Sequence, residues 1–101
     1  MNNDQPRSNF AVEIKLHKII AGLVNKFNDV FLAARYYCFH QDEYHERDCF
    51  QVISEIAKIP LSNLDFYLNV LRSLDIIQYS WSHRSIQLTS QGELKEAFVL
   101  S

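Results

Sequence analysis

Residues 48–93 read DCFQVISEIAKIPLSNLDFYLNVLRSLDIIQYSWSHRSIQLTSQGE. Asp48 stands three residues before Gln51, the spacing of a capping box with Asp in place of Ser or Thr. Phe50, Val52, Ile53, Ile56, Ala57 and Ile59 then give a helix its apolar face. Pro60 stops it, because proline cannot donate into the helical ladder and restricts the residue before it. Ser62 is the expected N-cap of the next helix, with Asp65 in the matching acidic position. Leu64, Leu68 and Leu71, with Phe66, Tyr67, Val70 and Leu74 on adjoining rows, carry that helix to about Ser73. Asp75 follows where it must end, and Asp or Asn is the non-glycine residue that best tolerates a left-handed terminus. The period then switches from helical to alternating. Ile76 to Trp81 reads as a strand, Ser82-His83-Arg84 as a turn, and Ser85 to Thr89 as a half-buried strand. A lone hairpin is marginal in water, so this one must pack on the helices. Thr89 or Ser90 caps a final helix bearing Leu94, Ala97, Phe98 and Leu100.

Outward from this stretch, Val12, Leu16, Ile19, Ile20, Leu23 and Phe27 fall on one helical stripe, which predicts a helix over Phe10 to Phe27. Gly22 lies inside it, either tolerated at a cost of about 1 kcal/mol or marking a close helix–helix contact. Asn28-Asp29 offers a cap. Val30 to Phe39 is apolar all round except for Arg35, and so reads as a central core helix or as a surface for dimerisation. Gln41 to Asp48 is a charged hinge. Residues 1–9 read as a flexible tail, and residues 10–101 as a single domain.

The composition bounds the classes. The chain has 101 residues, 48% of them apolar, with ten Lys and Arg against twelve Asp and Glu for a net charge of −2. One small domain is the ceiling. High apolar content at low net charge argues against disorder. No run is long and apolar enough for a bilayer span. The polar N-terminus lacks the apolar region of a secretory signal, so the expectation is a cytoplasmic protein with Cys38 and Cys49 as free thiols. The charge excludes a binder that works on nucleic acid by bulk electrostatics.

Three segments carry a family resemblance. Ile56-Ala57-Lys58-Ile59-Pro60-Leu61-Ser62 looks like the turn between the second and third helices of the winged helix-turn-helix superfamily. Val70 to Ile77 looks like the end of its recognition helix running into the first strand of the wing. Ile86-Gln87-Leu88-Thr89-Ser90-Gln91-Gly92-Glu93-Leu94 is similar to the second wing strand and its "L-T-x-x-G" entry to the next helix. The resemblance implies a mainly α fold with a small β-hairpin, about five helices and a two-stranded wing. It implies a small prokaryotic-type DNA-binding transcriptional regulator, and the apolar surplus of the chain adds the expectation that it acts as a homodimer. The first helix, and the last over Glu93 to Leu100, would pair the protomers. Between Asp48 and Gly92, however, Lys58, Arg72 and Arg84 face Asp48, Glu55, Asp65 and Asp75, so the segment has no excess of cations.

In a helix-turn-helix the N-terminal part of the recognition helix meets base edges. That surface would offer Ser62, Asn63, Asp65, Tyr67 and Asn69, with Lys58 and Arg72 on phosphates. His83 and Arg84 at the hairpin tip, beside Trp81 and Ser82, would reach the backbone or minor groove. The alternative is a winged-helix interaction module or adaptor that binds protein in a larger assembly, without DNA. Tyr79 and Trp81 would then be aromatic anchors, or else packing on the helices. Cys38, His40, His45 and Cys49, with Asp42, Glu43, Glu46 and Asp48 between, are ligand types that zinc accepts, but their intervals match no closed structural pattern. No metal and no cofactor is expected. Nor is an enzyme: there is no Gly-rich phosphate loop, nucleophile elbow or H-E-x-x-H.

Overall fold

The first helix, α1 (Gln5–Phe39), runs unbroken for 35 residues. The computed structural model describes the chain over residues 5–98, with side chains from residue 12 onward. The helices expected at 10–27 and 30–39 are therefore one, and residues 5–9 of the expected tail belong to it. Residues 1–4 lie outside the described residues. The reason lies at Asn28. Its side chain does not cap a helix of its own. It bonds the backbone of Phe98, with Nδ2 donating to the Phe98 carbonyl and Oδ1 accepting from the Phe98 N–H, both at 2.5 Å. Both amide groups serve a distant segment, and the stripes on either side of Asn28 stay in helical register.

After a 3₁₀ turn at Gln41–Tyr44 come α2 (Cys49–Ala57) and α3 (Leu61–Ser73). The strands β1 (Ile77–Ser80) and β2 (Ser85–Leu88) form an antiparallel pair, with Ile77 opposite Leu88 and Ser80 opposite Ser85. The last helix, α4 (Ser90–Leu94), is short. The architecture is thus mainly helical with one two-stranded hairpin, and it has four α-helices among the described residues rather than about five.

Asp48 caps α2 as expected, its carboxylate accepting from the Gln51 N–H at 3.0 Å. Lys58 ends α2 in the left-handed region at φ 59°, and its N–H bonds the Ser54 carbonyl. The cap of α3 differs from expectation. Pro60 holds that position, so Ser62 is a first-turn residue, and the Asn63 N–H bonds the Pro60 carbonyl at 2.9 Å. Proline fits an N-terminal boundary because it has no N–H to leave unpaired. Asp75 ends the segment at φ 61°, as read.

The core fills the space between the second half of α1, α2, α3 and the hairpin. Val30, Phe31, Ala34, Phe50, Ile53, Leu64, Leu68, Leu71 and Ile77 are fully buried in it. The Val30 to Phe39 segment is therefore a central core helix on one side, while Leu32, Tyr36 and Phe39 stay exposed. The first half of α1 has no such packing. From Val12 to Ile20 every residue is exposed, and the described fold extends 63 Å along its long axis.

The "L-T-x-x-G" segment has a clear physical reason. The Thr89 hydroxyl accepts from the Gly92 N–H at 3.1 Å, which caps α4, and donates toward the Asp75 and Ile76 carbonyls. Gly92 lies so close to the chain entering β1 that a Cβ there would stand 2.1 Å from the Ile76 carbonyl oxygen. The expected helix through Ala97 and Phe98 does not form. Lys95 is extended, and the chain returns so that Phe98 packs edge-on against Phe31, ring centres 5.5 Å apart. Tertiary anchoring at Phe98 overrides helical propensity, and Leu94 is left 84% exposed. Leu100 lies outside the described residues.

Candidate nucleic-acid interface

The surface built from α3 and the hairpin tip is organised around two carboxylates. Asp48, at the start of α2, holds the hairpin. The Arg84 guanidinium grips it with two bonds of 2.7 Å, through Nε and Nη2. Arg84 sits in the left-handed region at φ 48°, a conformation that costs a non-glycine residue of order 1 kcal/mol. Its side chain also lies over the Phe50 and Trp81 rings, and its carbonyl faces the Cys49 Sγ at 3.4 Å. The guanidinium beside Asp48 holds that carboxyl below the usual carboxylate range, aided by the Gln51 N–H and opposed by desolvation.

Asp65, on α3, holds the aromatic pair. It accepts from the Trp81 indole N–H at 2.5 Å and from the Tyr79 hydroxyl at 3.1 Å. Trp81 stacks on Phe50 with ring centres 3.9 Å apart. Tyr79 carries the Arg72 guanidinium over its face at 4.5 Å. Tyr79 and Trp81 are thus half-buried packing residues of one strand face.

The nine residues read from the sequence therefore separate. Tyr67 is buried and meets Phe27 edge-on, so it offers no base contact. Asp65 is committed to the hairpin aromatics, and Arg84 to Asp48. These three belong to the frame, because each completes a contact between elements. Arg72 and Asn69 are exposed but bonded to each other at 2.7 Å. His83 lies within hydrogen-bond distance of Ser80 and Ser82 at the tip. Lys58, Ser62 and Asn63 are exposed and lie together around the turn into α3. Sequence reasoning missed the Asp48–Arg84 clamp. Its one signal was a turn arginine following a strand that ends in tryptophan, which does not name the partner.

The zinc-type residues are engaged separately. Cys49 is buried in the core, and Cys38 is half-buried near the Ile86 carbonyl. Burial pushes both thiols up to about 11. His40 stacks on Tyr36, and His45 contacts the Asp42 carbonyl. Among the described residues, no three such side chains gather as a metal site. No helix among them is long and apolar enough to cross a membrane.

No family model, no curated protein and no solved structure matches the chain.

Proposed function

We propose that this chain is a winged-helix DNA-binding protein, a small transcriptional regulator that acts as two copies on duplex DNA. The observation that carries the reading is the edge around the turn into α3. Lys58, Ser62 and Asn63 are exposed there, on a frame that Asp48–Arg84 and Asp65–Trp81 lock to the hairpin. A rigid helix presenting short polar side chains at its N-terminal end suits base edges in the major groove. Asn69 and Arg72 lie further along the same helix, and His83 stands at the hairpin tip. Phosphate contact falls to Lys58 and Arg72, so affinity is modest and depends on the pair.

The test is a gel shift with random and selected duplexes at low salt. Wild type should shift the duplex, and a Lys58→Ala/Asn63→Ala/Arg72→Ala variant should not. With two cations from each of two copies, log affinity should fall against log salt with a slope of about −4. No shift at low salt, or equal binding by the triple variant, overturns the reading.

A second reading rests on a separate observation. Arg84 is spent inside the chain, while Phe66, Leu74 and Leu94 are exposed. A winged-helix module that binds another protein uses such a surface. A stoichiometric protein partner that survives nuclease treatment favours it over DNA.

A further inference from the structure

The first half of α1 is an exposed arm without packing. The polar groups on the outer face of α3 are, by contrast, joined to one another and to the hairpin. Asp65, Asn69 and Arg72 follow at steps of four and three residues, so they share one side of that helix. The Arg72 guanidinium lies over the face of Tyr79, 4.5 Å from the ring centre, and its Nη2 donates to Asn69 Oδ1 at 2.7 Å. The Tyr79 hydroxyl donates in turn to Asp65 Oδ1 at 3.1 Å, and that oxygen also accepts from the Trp81 indole N–H. Tyr79 is half-buried. The ring beneath Arg72 is therefore a fixed platform.

This array limits what Asn69 and Arg72 can recognise. A guanidinium has donors only, so the Asn69 amide turns its oxygen toward Arg72. The second lone pair of Oδ1 stays open, but a donor arriving there would meet the guanidinium charge. Outward, the pair offers N–H groups: those of Asn69 Nδ2 and the remaining ones of Arg72. Arg72 forms no ion pair among the described residues. Clustered donors carrying one uncompensated positive charge suit an oxyanion. They do not suit an adenine edge, where the amide must accept from N6 while it donates to N7.

Position along α3 separates bases from backbone. At 1.5 Å per residue, Asn69 lies about 9 Å and Arg72 about 14 Å behind Asn63. The major groove is about 12 Å wide. With Asn63 on base edges, Arg72 has reached the phosphate wall, and Asn69 leans toward it. Asn63 is exposed, and its amide has no side-chain partner among the described residues, so both its donor and its acceptor face outward.

We propose, resting on the reading that the chain binds duplex DNA, that Asn69 and Arg72 act as one clamp on a single backbone phosphate. Tyr79 is the positioning residue that holds the guanidinium for it. Base discrimination along α3 then falls to Asn63 and not to Asn69.

The test uses the full chain and duplexes selected by wild type, titrated at several salt concentrations. Arg72→Ala should weaken binding to every sequence alike and lower the salt slope by about one per copy bound. Asn69→Ala should weaken binding with every base preference kept. Asn63→Ala should keep the slope and lose the preference at one base pair. Phosphates are then replaced singly by neutral methylphosphonates. One replacement per copy should weaken wild type on the order of tenfold and leave Arg72→Ala unaffected. Tyr79→Leu should also be insensitive at that phosphate, and Tyr79→Phe, which keeps the ring face, should stay sensitive. Asn69 and Arg72 are exposed, so their variants carry the test even where Tyr79→Leu does not fold.

A base preference altered by Asn69→Ala, or an Arg72→Ala protein as sensitive as wild type at every phosphate, overturns the clamp and leaves the DNA reading standing. Equal behaviour of Tyr79→Phe and Tyr79→Leu overturns the positioning role. Failure of wild type to bind any duplex removes both the clamp and the DNA reading.

Discussion

The two glycines of this chain both lie in helices, and the structure predicts opposite outcomes when each becomes alanine. Helix propensity alone favours alanine by about 1 kcal/mol at either position. At Gly92 the new methyl would stand 2.1 Å from the Ile76 carbonyl oxygen, 3.1 Å from the Ile76 carbonyl carbon and 3.1 Å from Leu88 Cδ2. A relaxed C···O contact is about 3.3 Å or longer, so α4 must retreat from β1 by more than an ångström. That retreat breaks the contacts through which Thr89 ties the segment to Ile76, its N–H at 3.0 Å and its hydroxyl at 3.0 Å. Two hydrogen bonds at about 1 kcal/mol each and overpacking strain of about 1–3 kcal/mol outweigh the propensity gain. The net loss is about 2–4 kcal/mol, which lowers Tm by roughly 8–30 °C in a domain of this size. At Gly22 nothing lies within 4 Å of the same methyl. Gly22→Ala should hold Tm and raise the helical ellipticity at 222 nm. Thermal unfolding by circular dichroism at one fixed protein concentration reads both. An unchanged or higher Tm for Gly92→Ala would refute the packing argument, and a lowered Tm for Gly22→Ala would refute the open surroundings of the arm.

Asp48→Ala should cost about 1–2 kcal/mol in urea denaturation, since it removes both the α2 cap and the clamp on Arg84, while Asp48→Asn keeps a cap acceptor and costs less. Because Arg84 depresses the Asp48 carboxyl, its charge-dependent share of stability is full above the ordinary value of about 3.9. That share is lost as pH falls through the lowered folded value, so Asp48→Asn should flatten this acid limb of the wild-type profile. Asn28→Ala should lose both bonds to Phe98 and cost about 1–2 kcal/mol, with carboxypeptidase trimming the C-terminal segment faster than in wild type. With both thiols pushed up to about 11, alkylation by iodoacetamide at pH 8 should run roughly a hundredfold slower than for free cysteine and recover in urea. Equal rates in native and denatured protein would contradict the burial.

The elements between Asp48 and Gly92 were legible because each is bounded by local chemistry: the Asp48 cap, the proline stop, the left-handed Asp75 and the switch of period at Ile76. What escaped is tertiary in origin. Asn28 looks like a cap in one dimension, and only the folded chain shows Phe98 using its amide. Tyr67 and Asp65 occupy helix rows that a propensity reading leaves open, and both are taken by long-range partners, Phe27 and the Tyr79–Trp81 pair. Arg84 has the composition of a phosphate contact, but a turn cannot disclose that Asp48, 36 residues earlier, already neutralises it. The unpaired stripe was visible as periodicity. Its exposure was not, because periodicity says which residues share a face and not whether anything lies opposite.

The unequal packing along α1 has a kinetic consequence. Amides near Val30 open only when the core opens, so they exchange with solvent at the rate of global unfolding. Amides near Leu16 are held by helical hydrogen bonds alone, and a helical arm without tertiary support is marginal. One continuous helix should therefore show a gradient of exchange lifetimes, falling from its middle toward Val12.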